Sequence, residues 1–265
     1  MIASLRRIAG MTQRYWRLLV SSWPRVLELV YWPMMQILVW GTLQIYLSEQ
    51  FSNFAQISGS LVGGVLLFDV LVRGQLGLSV TFLEEMWSNN LGNLLMSPLR
   101  PGELVASMLL MSLVRTLIGL APVCIVALLV FNFNVFQLGP GLALFFLNLL
   151  ATSWAIGLLV SGLVLRYGVA AESLAWSLVF ALLPVCCVYY PVYVLPEWLQ
   201  PLSLALAPTY VFEGLRAMVF ERSFQADLML RAASLNALYL AAAYFGFLRL
   251  LKGARDSGSL LSRAE

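Results

Sequence analysis

The sequence predicts an all-α, polytopic membrane protein with six transmembrane helices. An N-terminal amphipathic interfacial helix precedes them, and short re-entrant helices come before the last span. Three observations predict this class. Hydrophobic residues make up 61% of the 265 and charged residues 11%, against roughly 45–50% and 25% in soluble domains. Between Arg25 and Arg255 the apolar residues fall in runs long enough to cross a bilayer, which takes about 20 residues at 1.5 Å each. The runs are continuous rather than alternating, which argues against a strand-built barrel.

Residues 1–22 form the interfacial helix. At 100° per residue, Ile2, Leu5, Ile8, Ala9, Tyr15, Trp16 and Leu19 fall within an arc of about 140°. Arg6, Arg7, Arg14 and Arg17 occupy a separate arc of about 100°. The apolar arc is expected in the acyl boundary and the arginines at lipid headgroups. Arg14 and Arg17 interrupt the segment, so it is not read as a secretory leader.

The six spans are placed at 26–47, 57–80, 104–130, 140–164, 174–194 and 228–251. Ser48-Glu49-Gln50, Gly139-Pro140-Gly141 and Arg166-Tyr167-Gly168 punctuate them. An even number of spans puts both termini on one side. That side carries Arg6, Arg7, Arg14, Arg17, Arg25, Arg100, Arg166, Arg249, Lys252, Arg255 and Arg263, and the other carries Arg216 and Arg222. The positive-inside rule makes the first side cytoplasmic, including a tail at 252–265. Gly59/Gly63 and Ser153/Gly157/Ser161 have the spacing that lets helices approach closely.

Much chemistry is excluded by what the chain lacks. There is no histidine, and Cys124, Cys186 and Cys187 all lie in apolar runs, so no metal ligand set is expected. Its one lysine, Lys252, precedes Gly253 rather than Ser or Thr, so no phosphate-cradling loop exists and any ATP chemistry belongs to another polypeptide. The net charge of +3 is spread along the chain, without the basic patch that binds nucleic acid.

Two segments between spans are unusual. The loop 81–103 holds Glu84, Glu85 and Glu103 against Arg100 alone. Thr81 and Glu84 have capping-box spacing, which predicts a short exposed helix studded with Met86, Leu91, Leu94 and Leu95, with a partner-binding role. After the fifth span, Pro184, Pro191, Pro196, Pro201 and Pro208 interrupt an apolar, aromatic stretch containing Tyr190 and Trp198. Proline at this density forbids one continuous helix, so short helices at or re-entering the outer leaflet are expected over 195–222.

Asp69 and Arg73 lie one turn apart on the second span and share a face. Taking that span to end near residue 80 puts Asp69 about 16 Å above its end, at a depth similar to Arg115 on the third span. The three form an expected intramembrane charge cluster, either a clamp between spans or a lining of a substrate path.

Six spans, a basic amphipathic first helix and an acidic loop ending Ser97-Pro98-Leu99-Arg100-Pro101-Gly102-Glu103 together resemble the permease subunit of a bacterial type-2 ABC exporter. The most specific likeness runs from Tyr190-Pro191 through Leu195-Pro196-Glu197-Trp198-Leu199-Gln200 and Ala207-Pro208-Thr209-Tyr210 to Glu213-Gly214-Leu215-Arg216. The resemblance implies two paired permease chains above two separate ATPase subunits, which hold the ATP and Mg. It implies that Glu84–Met96 forms a coupling helix in an ATPase groove, that residues 1–22 form a connecting helix, and that 195–222 forms two short outer helices. The cargo the resemblance implies is a drug, lipid or lipid-linked glycan, and the setting a bacterial inner membrane. An ion- or proton-coupled carrier using Asp69, and a membrane anchor for a cytoplasmic partner, stand as alternatives.

Overall fold

The computed structural model describes residues 2–50, 58–88 and 90–256, and in these the regular structure is entirely helical. In chain order the helices are α1 (Ile2–Val20), α2 (Trp23–Gln50), α3 (Ser58–Trp87), α4 (Leu91–Met96), α5 (Pro101–Phe131), α6 (Pro140–Tyr167), α7 (Ser173–Val185), α8 (Gln200–Leu204), α9 (Ala207–Phe220) and α10 (Ala226–Asp256). Their ends follow from local chemistry. Pro101 opens α5, and the Glu103 carboxylate accepts the Arg100 backbone N–H at 3.0 Å, closing a capping box. Asn132 ends the same helix in the left-handed region at φ 52°. Gly139 (φ 56°) and Gly168 (φ 80°) bracket α6, where a side chain would be strained.

Among the described residues, α2, α3, α5, α6 and α10 are long and apolar enough to cross a membrane. The first four long helices, α2, α3, α5 and α6, alternate in direction, as close contacts show. Gln44 of α2 accepts the Val62 N–H of α3 at 3.3 Å, while Gly74 and Gly157 fit against Ser153 and Leu78, so α3 and α6 run parallel in register. Asn236 donates to Asn148 Oδ1 at 3.0 Å, and Thr152 donates to Asn236 Oδ1 at 2.6 Å. With Gly162 against Leu250, these bonds make α10 parallel to α6. Each buried amide in this network is satisfied, which a membrane core demands. The surroundings of Gly59, by contrast, lie outside the described residues.

The parallel pair corrects the fifth span. Between the end of α6 and the start of α10 the chain has to cross back, and it does so through α7 and the segment that follows. The expected helix over 174–194 stops at Val185. Thirteen residues give about 20 Å, short of a bilayer's hydrocarbon. The break comes at Cys187, which takes φ 54°, and Tyr190 Oη donates to the Pro184 carbonyl at 2.6 Å to fold the turn. Among the described residues the bundle therefore has five helices of full membrane-crossing length and one short one, in place of six of equal kind.

α3 is the axis. The rest of the chain covers 89% of its most apolar stretch, against 17% for α2 and for α10, whose outward faces carry Trp32, Val39, Leu238 and Phe245 exposed. Apolar side chains facing hydrocarbon cost nothing in lipid. Two core clusters divide the bundle. The one at the end holding α1 and α4, here the basal end, includes Tyr15, Phe82 and Phe247. The distal cluster includes Phe145, Phe212 and Cys186.

The second span also ends later than expected. α3 continues past residue 80 to Trp87, and Thr81 donates to the Gly77 carbonyl at 2.6 Å, an interior position rather than a cap. The break falls at Ser88–Asn90, and the following short helix is α4.

Candidate functional site

The basal end is held by a ladder of ion pairs between the arginines of the first two helices and the glutamates of the loop region. Arg7 forks onto Glu103, Nε to Oε2 at 2.8 Å and Nη2 to Oε1 at 2.6 Å, and Ser4 Oγ donates to the same carboxylate at 2.7 Å. Arg14 forks onto Glu85 at 2.5 and 3.1 Å, and Asn90 Nδ2 adds a third donor at 2.8 Å. Glu84 accepts Arg115 Nη2 at 3.1 Å and pairs with Arg25 Nη1 at 3.2 Å. Two-toothed guanidinium–carboxylate pairs fix orientation as well as charge.

Antiparallel geometry explains why Glu84 and Arg115 meet. Helical side chains lean toward their own N-terminus. Glu84 on α3 therefore leans up into the bundle, and Arg115 on α5 leans down toward the base. This corrects the expected cluster: Arg115 belongs to the basal ladder, and among the described residues Asp69 pairs with Arg73 alone. α3 extends 18 residues beyond Asp69 to Trp87, which places Asp69 about 27 Å from that end, deeper than first reckoned.

The ladder also corrects the reading of the first helix. Met11, Tyr15 and Leu19 form a stripe buried against the protein's own base, and Arg7 and Arg14 flank it facing inward. Exposed Leu5, Trp16 and Val20 lie within about 60° of one another on a second face, with the exposed Arg6 beside it and the exposed Arg17 next, on the side of Arg7 and Arg14. One helix thus has a protein face, an apolar outward face and a cationic edge.

Tyr15 is fully buried, and among the described residues its hydroxyl lies near the Glu85 carboxylate without a well-formed hydrogen bond. Burial, with the nearby Glu85 charge, pushes its phenol well above the usual tyrosine range. A buried hydroxyl without a well-formed bond contributes nothing to stability, so Tyr15→Phe is expected to leave the melting temperature unchanged or raise it. Tyr15→Ala removes the ring and is expected to lower stability by about 3–5 kcal/mol. Thermal melts of the two purified variants check both outcomes.

Of the residues assigned to a partner-binding helix, Glu84 and Glu85 are buried within α3, not on an exposed helix, because the arginines neutralise them. Leu91 and Leu94 turn into the basal core, and Met86 is half-buried. The side chain of Leu95 lies outside the described residues. What the loop presents outward is Trp87, Asn93 and Met96, the last 75% exposed. Beside them a hollow of about 320 Å³ opens between α1 and α4, lined by Arg7, Met11, Arg14, Asn93, Leu94 and Pro98 among others. Trp87 was passed over because it lies next to the two acids, where the break was expected.

In the middle of the bundle, Arg73 Nε donates to Asp69 Oδ2 at 2.6 Å, as one-turn spacing on a shared face allows. The Arg73 guanidinium lies flat against Gly119, where any Cβ would collide with it.

At the distal end, Arg216 and Glu213 of α9 form a latch. Arg216 Nη1 donates to the Cys187 carbonyl at 2.8 Å, Glu213 Oε1 accepts the Val192 N–H at 3.0 Å, and the two side chains pair at 3.0 Å. They hold the turn around Tyr190 and Pro191 that a short α7 makes necessary. Pro208 is buried at the start of α9, while Pro196, Trp198 and Tyr193 are exposed at the tip.

The model of the ABC-2 type transporter family matches residues 8–220, a stretch that runs from α1 through the ladder, the spans and the latch to the end of α9. No curated protein matches the chain. With most of its length matched, the chain belongs to the ABC-2 type transporter family and is a transmembrane permease component of an ABC transporter.

Proposed function

We propose that the chain is the membrane half of an ATP-driven exporter, in which two copies pair and two separate ATPase subunits, carrying ATP and Mg, seat against the basal end. The basal end would then face the cytoplasm with both termini, in a bacterial inner membrane, as the arginines gathered there support. The observation that carries this reading is the ladder. Its ion pairs join α1, α2, α3 and α5 into one block, and α4 is held to that block by the Asn90 amide on Glu85 and by Leu91 and Leu94 in the basal core. A push on α4 would therefore reach the axial helix without being absorbed by a loose loop. Outward-facing Met96 and Asn93, with the hollow beside them, offer the apolar and polar contacts a partner groove needs.

Charge reversal inside the ladder would confuse docking with folding, so the test uses the outward face. Met96→Asp puts a charge at the centre of the proposed contact and touches nothing in the chain itself. It is expected to lower co-purification of the ATPase at least tenfold while the melting temperature of the permease stays within about 1 °C, as for a surface change. Unchanged co-purification would show that α4 is not where the ATPase sits.

A further inference from the structure

Arg73 and Asp69 are joined by one hydrogen bond, Nε to Oδ2. Among the described residues, Nη1 and Nη2 of Arg73 and Oδ1 of Asp69 have no partner. The side chains are 8% and 5% exposed, and the unbonded atoms do not belong to the fully enclosed polar set that includes Gln75 Oε1 and Arg115 Nε. They therefore edge onto an accessible surface. That surface lies mid-span, where α3 leaves about 16 Å on one side of Asp69 and about 27 Å on the other. Unpartnered N–H groups of a guanidinium are not tolerated against hydrocarbon. Gly119 gives the guanidinium a flat seat, and Val70, Leu120 and Val123 on adjacent turns belong to the apolar core.

We propose that Asp69 and Arg73 form a binding site for a zwitterionic headgroup, an oxyanion and an ammonium borne on an apolar-tailed molecule, and that this is the class of molecule the permease carries. The argument is one of matching. The four free N–H donors on the Arg73 fork suit two oxygens of a phosphate-type oxyanion, and Asp69 Oδ1 suits an ammonium. Residues one turn apart stand about 5–6 Å between Cβ atoms, within reach of two charges separated by a two-carbon link. Asp69 and Arg73 sum to zero charge. A neutral zwitterion enters without adding net charge, whereas a bare oxyanion would leave one uncompensated negative charge in the membrane interior. Leu120, only partly buried beside the pair, takes the start of the tail. The cargo assignment rests on the permease reading, but the site does not.

Native mass spectrometry on the full-length chain, delipidated and then exposed to micelles of phosphatidylethanolamine, phosphatidic acid or diacylglycerol with identical tails, tests it. At least tenfold preference for phosphatidylethanolamine over both others is expected, with competition by free phosphoethanolamine. Arg73→Lys, which keeps the charge and loses the fork, is expected to reduce the preference about fivefold. Asp69→Asn/Arg73→Gln is expected to abolish it. Equal retention of the three lipids, tighter retention of phosphatidic acid, or a preference that survives in the double variant would each overturn the proposal. Should the variants fail to elute as single species, the three-lipid comparison and the competition on the unaltered chain decide alone. ATPase co-purification with the unaltered chain is scored separately. Its absence beside intact headgroup selectivity would sink the exporter reading and leave the site standing.

Discussion

Glu84→Gln is expected to unfasten the base of the molecule. Among the described residues Glu84 is the sole acceptor for Arg115, whose Nε is already enclosed without a partner there, and it also holds Arg25 from α2. Both Glu84 and Arg115 are more than nine-tenths buried. Removing one partner of such a pair leaves an uncompensated charge and costs roughly 3–5 kcal/mol. At roughly 2–4 °C per kcal/mol for a chain of this size, the melting temperature should fall by on the order of 10 °C. Arg25→Gln removes only the half-exposed partner and should cost less than about 1 kcal/mol. Adding Arg115→Leu to Glu84→Gln should recover most of the loss, since an apolar side chain in that place needs no counter-charge. A Glu84→Gln protein as stable as the parent would mean that water or lipid headgroups already reach Arg115.

The ladder shows where a single sequence stops being legible. The acids of the 81–103 loop and the arginines of the first helix were each visible, and each was read against an external partner. That they belong to one another depends on how far α3 extends. Glu84-Glu85 looks like the end of a span, and only the fold shows that these acids are neutralised and the helix continues. Periodicity separated the apolar from the cationic positions of α1, but it joined Tyr15 and Leu19 with the outward Leu5 and Trp16 in one arc and left out Met11, because lipid and protein accept the same apolar side chains. The one-turn Asp69–Arg73 pair was legible, because an i,i+4 spacing fixes neighbours within a helix. Arg115 was misplaced because a six-atom side chain reaches more than a turn from its Cα. Prolines announced the distal irregularity but not its position: Pro184 lies within α7, and the chain turns at Cys187, which the Arg216 latch holds from 29 residues away in sequence.

Asp69→Asn is the change expected to be most costly in the middle of the membrane. It removes the only counter-charge paired with Arg73 among the described residues, leaving an amide oxygen in place of a carboxylate, and it does so where Gly119 packs closely against one side of the guanidinium. The loss should again be roughly 3–5 kcal/mol, seen as low yield or early melting. Arg73→Leu in the same chain should return much of it, while Arg115→Leu should not, because Arg115 answers to Glu84. That asymmetry separates the two charge sites, which depth alone would have merged. It also separates a binding pair from a proton-coupled carrier. A carrier that loads its proton on Asp69 would yield a well-folded Asp69→Asn protein whose transport no longer responds to a pH gradient. Melts of the single and double variants beside a pH-gradient transport assay decide between them. A stable, pH-blind Asp69→Asn would reject the ion pair as a structural unit and make Asp69 itself the coupling site.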